Sequence, residues 1–264
     1  MAVRELVLSH FSLARLHPIE DRVRLAAANG FHGIGLWVGH YEQLEREGFA
    51  PHGLHELLDR YGIGLREIEV ITDLGTTGAA AARAEIAWRM ADAFGSRYMQ
   101  VIGPAGDDLS AAANAFGDLC DRGVDHGLVL GIEFLPFNDI GSVHVARRIV
   151  EAADRPNGGI CVDIWHHERG ARDLDAIAAL PGELITGIQL NDGTRVPEHP
   201  DYYTDCLANR RAMGEGEFDI ASFLEAVHST GTTAPWSLEV PNSAGWNDPE
   251  HHIAGIAAGI RRYA

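Results

Sequence analysis

Eight times along the chain a short run of apolar, β-favouring residues gives way to a segment whose apolar residues recur every three or four positions, and this alternation restricts the fold more than any other feature. The runs are Glu5–Ser9, Gly33–Trp37, Leu65–Val70, Tyr98–Ile102, Val129–Phe134, Gly159–Asp163, Ile185–Leu190 and Trp236–Val240. Short apolar strands suit a parallel sheet covered on its outer face, because crossover helices bury what an antiparallel meander would leave wet. Repeated eight times in 264 residues, the pattern predicts an α/β fold, a single (β/α)8 TIM barrel with residues 1–264 as one domain, since such a barrel needs about 250 residues.

The helical segments carry their own punctuation. Pro18 opens the first and Asn29-Gly30 closes it, Gly95 ends the third, Ser142 and Asp219 are N-caps, and Asp248-Pro249 starts the last. In the third, Ile86, Met90 and Phe94 make one apolar stripe, with Arg83, Glu85 and Arg89 on other faces. Residues 1–2 and the stretch Thr194–Glu217 fall outside the rhythm, and the latter is long enough to be a lid over the active face.

The net charge of −17, from 38 acidic and 21 basic residues, disfavours a polyanionic partner, so no nucleic acid is expected. Three widely spaced cysteines, Cys120, Cys161 and Cys206, form neither a C-x-x-C motif nor a disulfide framework and fit a reducing cytoplasm. No leader and no run of about 18 apolar residues is visible, so neither export nor a membrane is expected. His10, His32, His40, His52 and His55 lack the spacing of a helical zinc site and read as solvated.

In a barrel of this kind chemistry gathers where the strands end, so a polar residue closing an apolar strand is informative. Glu133, Asp163, Gln189 and Glu239 close strands five to eight, which are neighbours around the barrel. Any one of them alone could be a solvated rim residue. Together, three carboxylates and an amide oxygen repel one another when bare and bind a hard cation well. All-oxygen ligation favours one divalent manganese or magnesium ion, with cobalt or zinc also open. Trp37 and Trp165, also at strand ends, could line an apolar wall of the pocket or simply pack.

Ile-Glu-Phe-Leu-Pro-Phe around Glu133, Val-Asp-Ile-Trp-His-His around Asp163, Ile-Gln-Leu-Asn-Asp around Gln189, Gly-Glu-Gly-Glu-Phe-Asp from Gly214 and Leu-Glu-Val around Glu239 carry a resemblance that spans nearly the whole chain. In these segments the sequence resembles the sugar phosphate isomerase/epimerase family of xylose isomerase-like barrels, which includes ketose 3-epimerases, hydroxypyruvate isomerase, inosose dehydratase and 3-dehydroshikimate dehydratase. The resemblance implies that Glu133, Asp163, Gln189 and Glu239 are the metal ligands, and that Glu133 and Glu239 also carry protons. It places His166, three residues after Asp163, as acid, base or donor, with His167 the lesser twin. Arg211, or Arg210 in its stead, would meet a substrate oxygen or anionic group, and Glu69 matches a position that touches substrate. One departure bears on the reaction: the ketose 3-epimerases have His where this chain has Gln189, whereas hydroxypyruvate isomerase and some dehydratases are more like it.

A metal held against the carbonyl and hydroxyl oxygens of a substrate lowers the energy of the enediolate left when the neighbouring C–H loses its proton. Returning the proton elsewhere isomerises or epimerises a small polyhydroxy ketone or sugar, which is the first expectation. Loss of the next hydroxyl instead makes the enzyme a dehydratase. Two other classes remain in view: an abasic-site endonuclease, which shares the barrel but needs a histidine-rich zinc cluster and a basic surface, and a metal-bearing binding protein without turnover. The family resemblance also implies a homo-oligomer.

Overall fold

The computed structural model describes residues 4–263 apart from 75–77, 104–105 and 107. The expectation for residues 1–2 therefore lies outside the described residues. Eight parallel strands close into a barrel in chain order, the first pairing with the last. They are β1 (Leu6–Leu8), β2 (Gly33–Trp37), β3 (Gly64–Ile71), β4 (Tyr98–Ile102), β5 (Val129–Glu133), β6 (Gly158–Asp163), β7 (Ile185–Leu190) and β8 (Trp236–Leu238). The two strands that differ most from expectation are β1 and β8, both cut to three residues. Their ladder stops at Leu8–Leu238, beyond which Ser9 and Glu239 turn off to serve the upper rim.

The strands alternate as a pleat requires. Ile34, Leu36, Met99, Val101, Leu130, Ile132, Ile160, Val162, Ile188 and Leu190 are buried beneath the helices. Each such side chain stabilises the fold by about 1.5–3 kcal/mol relative to exposure. The intervening positions face the barrel axis and are unusually polar: Glu67, Glu69, Gln100, Glu133, Cys161, Asp163, Gln189 and Ser237 are all buried. Gly35 on β2 makes room for one of them, because a Cβ there would lie 1.6 Å from the Glu69 carboxylate.

Helix ends follow the sequence punctuation. Pro18 precedes Ile19–Ala28, and Gly30 and Gly95 take φ of +82° and +64°. Ser142, Asp219 and Asp248 accept from the backbone N–H groups of Val145, Ser222 and His251. Within Gly78–Phe94, Ile86 and Met90 are buried and Phe94 packs against the core. Among the described residues no helix is long and apolar enough to cross a membrane.

The stretch Thr194–Glu217 contains a helix, Tyr202–Ala208, and is tied down at both ends. The Asp192 carboxylate accepts from the backbone N–H groups of Gly193, Gly214, Gly216 and Phe218, at 2.8, 2.9, 2.9 and 3.0 Å. Gly216 has to be glycine for this, since a Cβ would come within 2.3 Å of Asp192 Oδ1 and 2.5 Å of the Gly193 carbonyl oxygen.

Glu67, low in the barrel, receives a 2.6 Å hydrogen bond from Ser237 Oγ. Burial, reinforced by Glu69, pushes its carboxyl up from 4.5 to about 8. Because the folded value lies above the unfolded one, the stability tied to this group is complete below about pH 4.5 and is lost as the pH rises through about 8. Glu67→Gln is therefore expected to leave the melting temperature near pH 4.5 unchanged and to raise it near pH 9, by roughly 3–5 °C. Thermal melts of both proteins across that range check this; equal pH dependence would contradict it.

Candidate active site

Glu133 comes from the end of β5, Asp163 from the end of β6 and His166 from the helix Ile164–Arg169 that Asp163 itself caps, accepting from Trp165 N at 2.8 Å. Starting that helix directly on the strand end brings His166 back over the barrel mouth. Its Nε2 lies 3.1 Å from Glu133 Oε1 and 3.5 Å from Asp163 Oδ2. All three residues are buried.

Asp163 is held on every side: Asn191 Nδ2 donates to Oδ1 at 2.9 Å and Arg210 Nη1 to Oδ2 at 2.6 Å. The same Arg210 nitrogen lies 3.3 Å from Glu239 Oε2. Gln189, beside Asp163 in the β6–β7 register, has Oε1 3.5 Å from Gln100 Nε2, which in turn donates to Glu133 Oε2 at 2.6 Å. One continuous polar net thus joins all four strand-end residues. Burial holds the Glu239 carboxyl well above the usual carboxylate range even though Arg210 pulls it down.

The donor set fits a divalent cation. Glu133, Asp163 and His166 each offer one ligand atom, all within 4.8 Å of one another, and Glu133 Oε1 is buried without a well-formed hydrogen bond. When all three are ionised, Glu133, Asp163 and Glu239 face a single guanidinium, leaving a charge of −2 in a buried place, which one divalent ion offsets.

Above this net lies a cavity of about 240 Å³ whose walls include Arg15, Trp37, Arg83, Gln100, Phe137 and Tyr203, with Glu133, His166, Arg210 and Glu239 at its floor. Its size suits one small molecule. The Arg15 guanidinium stacks over Trp37 at 4.9 Å and has no carboxylate partner among the described residues. Arg83 reaches the rim from the third helical segment, bonded to Asp73 at 3.2 Å.

Three expected site residues, and two histidines read as solvated, sit elsewhere. Arg211 points away from the cavity, ion-paired to Glu198 at 2.7 Å and half exposed; Arg210 is the arginine that enters. Trp165 does not line the cavity, for it is wholly buried between Phe218 and the guanidinium groups of Arg169 and Arg210, 4.3 and 5.4 Å from its ring. Glu69 is buried beside β1, accepting from Ser9 Oγ at 2.8 Å and His10 N at 2.9 Å, with its carboxyl pushed up to about 7 by burial. His10 and His40, expected in solvent, are buried around Arg22. Trp37 does line the cavity.

Gln100 was missed. A lone amide in the middle of an otherwise apolar strand was the available signal, because an unpaired amide there would cost too much to bury. Tyr202, whose hydroxyl lies 2.8 Å from His166 Nδ1, left no comparable mark.

A closed parallel barrel with a buried Glu/Asp/His cluster that could hold a metal ion at the upper ends of adjacent strands places the chain among the (β/α)8 barrels. The chain belongs to the xylose isomerase-like TIM barrel family, whose model matches residues 23–263. Two curated relatives are both 3-dehydroshikimate dehydratases. That of Pseudomonas aeruginosa is 26% identical over 238 residues, covering 85% of this chain and 36% of the relative. That of Pseudomonas putida is 28% identical over 201 residues, covering 74% and 28%. The chain thus spans about a third of the length of the curated relatives it matches. Among solved structures, a xylose isomerase-like TIM barrel/4-hydroxyphenylpyruvate dioxygenase fusion protein superposes with a TM-score of 0.85 at 22% identity, over 98% of this chain and 42% of that one. The IolI protein with a bound zinc atom gives 0.84 at 15% identity over 98% and 97%. A D-allulose 3-epimerase from Methylomonas sp. in complex with D-allulose gives 0.75 at 16% over 99% and 98%. At these identities the structural likenesses establish the fold.

Proposed function

We propose that this chain is a divalent-metal-dependent lyase of the dehydratase type, removing water from a small hydroxylated keto acid, with 3-dehydroshikimate the first compound to try. The observation that carries the reading is the convergence of Glu133, Asp163, Glu239 and His166 on one buried net whose negative charge exceeds that of its single guanidinium. Glu133, Asp163, Gln189 and Glu239 are the residues that would hold the ion, which when bound supplies a Lewis acid for the substrate carbonyl.

The chain's own groups account for the proton movements. Glu239 takes the proton from the carbon beside the carbonyl. The electron pair of that C–H bond forms the new C=C as the C–O bond on the next carbon breaks, and His166, as imidazolium, gives one ring proton and becomes neutral, so that the hydroxyl leaves as water. Arg210 holds Asp163 and Glu239 in place, while Arg15 and Arg83 provide positive charge for a substrate carboxylate. Trp37 gives the cavity one apolar wall.

The same proton removal without loss of water is isomerisation or epimerisation of a polyhydroxy ketone, the reaction that the sequence puts first. Gln189, which departs from the histidine of the ketose 3-epimerases, and the dehydratase relatives favour elimination. The test is to load the protein with manganese and incubate it in deuterated water with 3-dehydroshikimate, a ketose and an inosose. A product lighter by one water is expected. Deuterium at carbon without that loss would make the enzyme an isomerase. A chain that takes up no manganese, or that neither exchanges nor converts any of these compounds, would sink the enzymatic reading in favour of a binding protein.

A further inference from the structure

We propose that Gln100 is a positioning residue of the cation site, its amide leaving Glu133 a single oxygen, Oε1, with which to hold the ion. Gln100 Nε2 donates to Glu133 Oε2 at 2.6 Å, a short bond of the kind a charged acceptor makes. Glu133 Oε1 turns toward His166 instead and is buried without a well-formed hydrogen bond. A carboxylate on a cation is ionised and can only accept, so the end of the Gln100 amide beside it has to be the NH2 group. The surroundings agree: the same Nε2 lies 3.5 Å from Gln189 Oε1, and Gln100 Oε1, on the other branch of the amide, is buried with no partner that would favour turning it over. A carboxylate that binds a cation through both oxygens takes two of its positions, whereas one held through a single oxygen frees a position for the substrate.

The placement follows from strand register. Gln100 pairs with Gly131 and Glu133 with Ile102, so the amide lies one inward-facing step back along the neighbouring strand and reaches the carboxylate on the diagonal. Gln100 is itself buried and lines the cavity, which leaves it close to whatever the cavity holds. The other two carboxylates are treated alike. Asp163 Oδ1 accepts from Trp165 N and Asn191 Nδ2 at 2.8 and 2.9 Å, and Glu239 Oε2 lies 3.3 Å from Arg210 Nη1. Each acid of the site thus has an oxygen engaged by a fixed donor, and Gln100 is the donor that serves Glu133. Such partners orient a ligand and set its affinity without touching the ion.

The role of Gln100 rests on the cation site of the reading above but not on its reaction, and the test separates them. Gln100→Met keeps the length of the side chain and removes the donor; Gln100→Leu takes its place if the methionine variant does not fold. Calorimetric titration with manganese alone is expected to show the variant binding about ten- to a hundredfold more weakly than the parent, with unchanged metal-free circular dichroism. Crystals of the manganese-loaded parent should show one Glu133 oxygen on the ion and the other on Gln100 Nε2. In the variant the Glu133 carboxylate should turn, binding through both oxygens or leaving the ion. Two Glu133 oxygens on the ion in the parent overturn the proposal, as does a variant with parent affinity, or one whose carboxylate has not moved, whatever its affinity. A loaded chain that converts no substrate yet gives the expected structures defeats the reaction assigned above and leaves the role of Gln100 standing, whereas a parent that takes up no manganese ends both.

Discussion

A Glu239→Gln protein is expected to turn over at about a thousandth of the parent rate or less, yet to melt at the same temperature or higher when metal-free. Removing a positioned proton carrier costs on the order of 10²–10⁴ in rate, and here the same substitution also removes a candidate ligand. The stability side has the opposite sign. Burial holds the Glu239 carboxyl well above its ordinary range, so the folded state resists ionising it near neutral pH. Glutamine has the same shape, carries no charge and still offers an oxygen to Arg210 Nη1, now 3.3 Å from Glu239 Oε2. Calorimetry on stripped protein and initial rates with manganese check the two halves. A variant keeping a tenth of the activity would remove Glu239 from the chemistry.

Arg210→Met is expected to destabilise the metal-free protein by about 3–5 kcal/mol, because deleting one partner leaves buried carboxylates uncompensated. Arg210 Nη1 is the cation that Asp163 and Glu239 share, at 2.6 and 3.3 Å, and both acids are buried. The loss should shrink when manganese is present at saturation, since the ion replaces the lost positive charge, and should change little when Glu239→Gln is added, since the metal-free Glu239 carboxyl already resists ionising. Urea unfolding of the single and double variants forms a cycle whose coupling energy is the readout. Equal losses with and without metal would refute the charge balance on which the cation site rests.

Both results turn on residues that differ in how plainly the sequence announced them. Glu133, Asp163, Gln189 and Glu239 were legible because each closes a strand, and a strand end in this fold has a known location. The helix caps were legible for the same local reason. The choice between Arg210 and Arg211 was not. An isolated antiparallel bridge, in which Asp192 and Arg211 exchange backbone hydrogen bonds at 2.9 and 2.8 Å, sends one arginine inward and its neighbour out. The parity of one such bridge leaves no periodic trace. Trp165 misled for a related reason, since it follows a strand end but begins a helix that turns its ring beneath the site. Glu69 was visible as a carboxylate near a strand end, but that it turns to Ser9 and His10 beside β1 and not into the cavity depends on how the barrel staggers its strands.

The four N–H groups gathered by Asp192 make the segment between Gly193 and Gly214 a closed cassette, its two ends held by one side chain. Residues inside it, Tyr203 and Arg210 among them, shape the cavity, while the clasp lies outside it and one position past Asn191, which steadies Asp163. Apart from Arg210, which reaches down to Asp163 and Glu239, length and sequence within the cassette can thus vary without moving the strand ends below. A lineage of such barrels can exchange the part that chooses a substrate and inherit the part that moves protons unchanged.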